Sequence, residues 1–415
     1  MRICFFFEYR DLKGGYTNLI ISLIKELYIQ GIETVLFNFK DGLIANELLK
    51  SGVEINIVDL DTLDWKEIDE QIFSTDILLI SIFLEVYHNF FNVNPRILYY
   101  DINDNICDVS KYKFGLSFHG LGKKFIQELL KNKSLIFMDN TGIDNLKNTF
   151  KLDIKEKVYL PLPVEMPEEN IFISKPLNCS SSLNITYIGR SVSWKMMPLK
   201  KIIDDCVLLK FDKKIIITVV VDSITELKKI INLDTYINIK FIKIILFENL
   251  LPSQLQAFLL TTSDLHFGMG TAALDAAKLG IPTILIDASP NPFPEDYTYS
   301  WIFQSKDFSL GKFINKVKFE KGITMDALLS SIINSAEARS DYSIKSYEYV
   351  ARYHSVKNII PKLLDIVKNT EFRIKDARPY NLYFSRIHHI LKDVLRNFIR
   401  KVLKFKASEI FRNVN

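Results

Sequence analysis

The chain is short of the residues that would tie it to several functional classes. It holds 4 cysteines and 6 histidines in 415 residues. Cys4, Cys107, Cys179 and Cys206 are scattered, with no C-x-x-C pair and no histidine at metal-ligand spacing. That spacing argues against a zinc or disulfide framework and reads as reduced thiols packed in a cytosolic protein. Long apolar runs are also missing. Residues 3–7 (ICFFF) stop at Glu8 and read as a buried strand rather than a secretion signal. The longest later run, residues 77–84, falls far below the ~20 residues a spanning helix needs. The expectation is a protein that does not cross a membrane, though it can sit on one. No P-loop, no G-x-G-x-x-G and no Ser/His/Asp order occurs, so hydrolase and NTPase readings lack support.

What is present is a globular composition, 48% apolar and 25% charged. The length suits two domains of similar size better than one core. The formal charge of +4 is unevenly spread: from Phe372 onward there are 11 Lys/Arg against 3 Asp/Glu, so the rest of the chain is mildly acidic. Such a balance does not suit wrapping nucleic acid. It suits a soluble enzyme with a cationic docking segment.

Short apolar runs alternate with amphipathic stretches along the first half. RICFFF, ETVLFN, EINIVDL, DILLISIF, RILYY and SLIFM read as strands, and NLIISLIKELYIQ as a helix that Gly31 ends through a left-handed C-cap. Strands that are apolar almost throughout belong to parallel sheets covered by helices on both faces. Pro161, Pro163, Pro167 and Pro176 then interrupt the periodicity, and the pattern restarts at LNITYIG. The reading is an α/β chain of two Rossmann-like, doubly wound domains facing across a cleft. The expected divisions are a first domain at 1–165, a linker at 166–180, a second domain at 181–368 and a basic amphipathic helical tail at 369–415.

Several segments, by order and spacing, resemble the retaining glycosyltransferase family four (glycosyl transferases group 1), of GT-B fold. These are GGYTNLIISLIKELYIQGIETVLF, TYIGRSVSWK, GMGTAALDAAKLGIPTILID and the closing YVARYHSVKNIIPKLLDIV, which together span roughly residues 1–368. The resemblance implies transfer of a sugar from a nucleoside-diphosphate donor to an acceptor hydroxyl. It places the acceptor in the first domain and the donor in the second.

It also assigns roles. Gly189, Arg190 and Lys195 match the strand-then-Gly-Arg motif with a Lys five residues on, and would hold the donor diphosphate. Arg offers phosphate a planar fork and Lys a compact charge, and both stabilise the negative charge that grows on the leaving group. Gly14 and Gly15, with Gly270 and Thr271, would bring backbone N–H groups to the same phosphates. Asp275 takes the position whose carboxylate holds ribose hydroxyls. The family's first acidic residue falls at Phe267, eight positions earlier, which with Gly268 would line the donor-sugar pocket and leaves a retaining outcome open. Asp101, Asp104 and His119 are the candidates to face the reacting sugar or acceptor, Asp104 foremost. Glu248 falls where relatives place a glycine near the base. With Arg190 and Lys195 neutralising the charge and no Asp-x-Asp motif standing out, neither metal nor other cofactor is expected.

Within the tail, residues 384–405 carry an apolar stripe (Ile387, Leu391, Val394, Phe398, Val402, Phe405) opposite Lys392, Arg396, Arg400 and Lys404. A basic amphipathic helix of that kind can lie on an anionic membrane surface. The expected enzyme is a cytoplasmic hexosyltransferase, peripheral on the inner membrane face. It would act on a glycan or polyprenol-linked acceptor in polysaccharide biosynthesis (capsule or O-antigen). The alternatives are a non-catalytic GT-B-like partner or scaffold in a glycan-assembly complex, or a sugar-nucleotide epimerase.

Overall fold

A computed structural model describes residues 2–12, 14–80, 90, 92–102, 119–167, 182–209, 213–250, 252–314 and 322–380. Asp104, Cys107, Cys179, most of the expected linker and the stripe at 384–405 lie outside them. The chain divides into two compact units, Met1–Leu160 together with the chain from Pro361, and Pro161–Ile360.

In the first unit the elements run β1 (Ile3–Phe6), α1 (Gly15–Ile29), β2 (Thr34–Asn38), α2 (Leu43–Lys50), β3 (Asn56–Asp59), β4 (Ile77–Ile80), β5 (Arg96–Asp101), α3 (His119–Lys131), β6 (Leu135–Phe137) and α4 (Asn140–Phe150). The strands form one parallel sheet in the order β3-β2-β1-β4-β5-β6. Helix α1 buries Leu19, Ile20, Leu23, Ile24 and Leu27, a stripe at helical spacing, against that sheet. It stops where Gly31 turns to φ +68° and Ile32 N–H returns to the Leu27 carbonyl at 2.9 Å.

The chain comes back to this unit at its far end. Ile97 N–H donates to the Phe372 carbonyl at 2.8 Å, and Phe372 and Ile374 are buried beside Phe125. Residues 370–380, which the sequence reading placed at the head of the tail, are thus part of the first unit's packing.

The second unit carries β7 (Ser182–Ile188), α5 (Ser193–Leu209), β8 (Lys214–Val221), α6 (Ile224–Ile230), β9 (Ile242–Glu248), α7 (Pro252–Thr262), β10 (Leu265–Gly268), α8 (Thr271–Ala277), β11 (Thr283–Leu285), β12 (Ser300–Trp301), α9 (Met325–Asn334) and α10 (Ala336–Tyr353). Helix α11 (Val356–Asn369) closes it and carries the chain back to the first. The sheet order is β12-β11-β10-β7-β8-β9, parallel but for β12, a two-residue antiparallel edge that the apolar runs did not announce.

From β7 the chain steps one way to β8, and from β10 the opposite way to β11. Right-handed crossovers in opposite directions put α5 and α8 on opposite faces of the sheet. The packing agrees. Met196, Leu199 and Ile202 of α5 share a core with Leu328 and Ile332 of α9, whereas Ala276 of α8 packs with Leu259 of α7 and Ile281. No helix among the described residues is long and apolar enough to cross a membrane.

Candidate functional site

The reversal of strand order in the second unit falls between β7 and β10. The carboxyl ends of strands at such a point are where open α/β sheets bind ligands. Both glycine turns singled out in the sequence lie there, Gly189-Arg190 after β7 and Gly268 to Thr271 after β10.

The first turn is held from three sides. Gly189 N–H donates to the Val220 carbonyl at 3.1 Å, Ser191 N–H donates to Asp222 Oδ1 at 2.6 Å, and Ser191 Oγ donates to the Ser223 carbonyl at 2.6 Å. The chain then winds into α5, with Lys195 and Met196 N–H both returning to the Val192 carbonyl at 2.9 Å. Beneath lies Tyr187, whose hydroxyl donates to the Lys195 carbonyl at 2.5 Å. A β-carbon on Gly189 would stand 3.0 Å from the Tyr187 ring and 3.5 Å from Lys195 Cδ, so the glycine lets the lysine stem pass close.

Arg190 is exposed and Lys195 half-buried, and the indole of Trp194 lies under both. The guanidinium carbon of Arg190 is 5.6 Å from the ring centroid and Lys195 Nζ 5.2 Å. Burial, and next the neighbouring Arg190, push the Lys195 ammonium down to about 8, against the pull of Asp222. Asp222 responds oppositely. Burial works to raise it, but the bonds from Ser191 and the charge of Arg190 outweigh burial and hold it below the usual carboxylate range. No carboxylate comes within ion-pair distance of either cation among the described residues; Asp222 is the anion both feel, from farther off.

Across the switch point, β10 alternates. Leu265, Phe267 and Met269 face the α5 side, and His266 and Gly268 face α8. Phe267 is therefore wholly buried, its ring edge-on to Tyr299 with centroids 5.4 Å apart. The period of the strand thus turns the side chain of Phe267, expected to line a sugar pocket, into the core. On the other face, a β-carbon at Gly268 would come within 2.5 Å of His266 Nε2 and 3.1 Å of the Ala273 nitrogen. Gly270, at φ +58°, heads α8 with no side-chain cap, and Thr271 is the first helical residue. Asp275, one turn on, forms an ion pair with Lys278 at 2.8 Å and is part-exposed. Glu248, at the end of β9, accepts from the Ile224 N–H at 3.0 Å.

In the first unit the strand order reverses between β1 and β4. Gly14, at φ +145°, precedes α1 and Gly15 begins it, so both stand on the β1 side of that point. Asp101 ends β5 and is 2% exposed, its Oδ2 2.5 Å from where a β-carbon on Gly142 would lie. Strand β5 is covered on both faces and its last side chain is packed against α4, at odds with a carboxylate open to substrate. His119 begins α3, and Asp104 lies outside the described residues.

The geometry thus gathers Gly189, Arg190, Lys195, Gly268, Gly270 and Thr271 around one switch point. Sequence reasoning missed Tyr187, Ser191 and Asp222, which hold that corner in shape. Only Asp222 carried a signal, as an acid closing the strand after Gly189-Arg190.

No family model matches the chain, and no curated protein does. Solved structures match over nearly its whole length. A glycosyltransferase from Rickettsia africae superposes with a TM-score of 0.57 at 15% identity, over 89% of this chain and 98% of that one. HepE of Anabaena, solved with UDP, gives 0.55 at 13% identity, over 89% and 100%. The lipopolysaccharide outer core galactosyltransferase WaaB gives 0.55 at 12%, over 89% and 100%. These neighbours are GT-B glycosyltransferases, and the chain has the GT-B fold.

Proposed function

We propose that the chain is a glycosyltransferase moving a sugar from a nucleoside diphosphate to an acceptor hydroxyl. The observation that carries this is the Arg190–Lys195 pair, two adjacent cations at the switch point of the second unit, neither held in an ion pair. A diphosphate is the ligand such a corner suits. Its charge grows as the glycosidic bond breaks, so cations fixed there hold the transition state more tightly than the ground state. Thr271, the first residue of α8, would add a backbone N–H, that of Gly270 being taken by the Leu310 carbonyl at 2.7 Å, and Asp275 would leave Lys278 for the ribose hydroxyls. The fold shared with HepE, which was solved with UDP, makes UDP the first nucleotide to try.

A hexose as the transferred unit and a role in bacterial surface polysaccharide assembly are the finer parts of this reading. WaaB, a lipopolysaccharide galactosyltransferase of the same fold, supports them. The basic stripe at 384–405 would hold the enzyme on the inner membrane face, near a polyprenol-linked acceptor. Sedimentation with anionic vesicles tests that part; a chain lacking 384–415 that still binds them would refute it.

The main test is a thermal-shift screen with UDP, GDP, ADP and CDP. A ligand of the native state raises stability by RT ln(1 + [L]/Kd), so one of the four should raise the melting temperature at millimolar dose. Arg190→Ala should remove the shift while leaving the unliganded melting temperature unchanged. Absence of a shift with all four, and of transfer from a nucleotide-sugar panel, would favour a non-catalytic partner.

A further inference from the structure

Helix α5 contains a proline, and its consequence reaches across the second unit. Pro198 has no N–H, so the Trp194 carbonyl four residues back has no helical donor. Ser289 N–H takes it instead, at 3.1 Å. The neighbouring Ala288 then pairs with the chain around Phe313: Ala288 N–H donates to the Lys312 carbonyl at 2.7 Å, and Ile314 N–H donates to the Ala288 carbonyl at 2.9 Å. Lys312 N–H is held once more by Asp287 Oδ1 at 2.7 Å. Backbone bonds on both sides thus fix a phenylalanine that is 53% exposed. Its ring stands 5.6 Å from that of Trp194, with 48° between the planes. A large apolar side chain held in solvent by so much backbone is not filling a core.

We infer that Trp194 and Phe313 form a ring-stacking subsite for the hexose of the donor; this rests on the diphosphate assignment above. Three observations select the occupant. First, the Trp194 ring adjoins Arg190 and Lys195, so the ligand joins an anionic group to a ring with an apolar face. A sugar diphosphate is such a ligand, its pyranose presenting a face of C–H groups. Second, the rings touch each other, with centroids 5.6 Å apart and 48° between the planes, so nothing slots between them and the occupant lies on an exposed face, which the C–H face of a pyranose can cover. Third, the platform lies on the α5 side of the sheet, and Asp275, the proposed ribose ligand, lies on α8, on the other side. A diphosphate at the switch point with its ribose towards α8 turns its sugar towards α5. The buried Phe267 fits this reading. With no carboxylate at that position to bind sugar hydroxyls, the sugar is gripped by its face.

The test compares binding of inorganic pyrophosphate, of UDP, GDP, ADP and CDP, and of their hexose esters, by calorimetry on wild type, Phe313→Ala and Trp194→Phe. Phe313 is exposed, so its truncation leaves the fold intact, which an unchanged melting temperature verifies. The expected result is a loss of roughly three- to tenfold in affinity for the hexose ester with Phe313→Ala, the range of an aromatic contact. The matching nucleoside diphosphate and pyrophosphate should bind as to wild type, and Trp194→Phe should lose less than Phe313→Ala. If nucleotide and hexose ester weaken together, the rings hold the base and the sugar assignment is overturned. If neither weakens, the platform has no ligand role. If no nucleoside diphosphate binds wild type, the diphosphate reading itself has failed, a result distinct from the other two.

Discussion

The hydroxyl of Tyr187 donates to the Lys195 carbonyl at 2.5 Å, joining the buried end of β7 to the first turn of α5. The bond spans the Gly189-Arg190 turn and fixes how far Lys195 stands from the arginine. Tyr187→Phe keeps the ring and removes the bond. It should cost about 1 kcal/mol of stability, the net worth of one buried hydrogen bond. It should weaken nucleoside diphosphate binding more than that loss of stability would suggest, because Lys195 is freed from its register. Calorimetry and chemical denaturation on the same variant separate the two effects.

The Lys195 ammonium, pushed down to about 8 by burial and Arg190, gives a pH signature. Only the charged form attracts a diphosphate. Affinity should therefore be highest near pH 7, where the terminal phosphate has lost its last proton and the lysine keeps its own, and fall as pH rises through about 8, by up to about tenfold per unit above it. Bound diphosphate raises the lysine's affinity for its proton, so binding should take up protons near pH 8. Lys195→Arg should carry high affinity to higher pH, and Lys195→Met should bind weakly at every pH. A wild-type profile that stays level up to pH 9.5 would remove Lys195 from the site.

Much of the fold was legible because the strands are apolar almost without interruption, which in a chain of this length means parallel sheets under helices. The cation pair was legible too, since Arg190 and Lys195 lie close in sequence on one strand-to-helix turn. Phe267 was not. Its position in a family spacing pointed to a ligand, but strand alternation and sheet order decide which face a residue takes. The contact of Trp194 with Phe313 could not be read either, because it runs through Pro198 and three backbone hydrogen bonds between distant segments. The edge strand β12, at two residues, is too short to leave a periodic trace.

Gly142 separates two competing effects. It lies inside α4, where alanine is favoured over glycine by about 1 kcal/mol. A β-carbon there would meet Asp101 Oδ2 at 2.5 Å and the Phe137 ring at 3.1 Å. Neither neighbour can withdraw, since both end buried strands, and overpacking of this kind costs about 1–3 kcal/mol. Gly142→Ala should therefore destabilise the first unit despite the gain in helix propensity, by denaturation midpoint. A stabilised variant would mean that the Asp101 carboxylate has room to move.

His266 supplies the last prediction. Its Nδ1 meets Thr186 Oγ1 at 3.0 Å, but Nε2 is buried without a hydrogen-bond partner, and burial pushes the imidazole down to about 3 from its ordinary 6.5. Between those values the unfolded chain binds a proton that the folded chain refuses. Stability rises with pH wherever the unfolded state holds more protons, so it must fall as pH drops from about 6.5 towards 3. His266→Gln keeps a polar group beside Thr186 and cannot titrate. The stability difference between wild type and this variant should therefore be constant above pH 7. Below it, the balance should shift steadily in favour of the variant as acid is added. Parallel curves from pH 7 to 4 would show that His266 takes its proton in the folded state, which a dry imidazole between Gly268 and Thr186 cannot do.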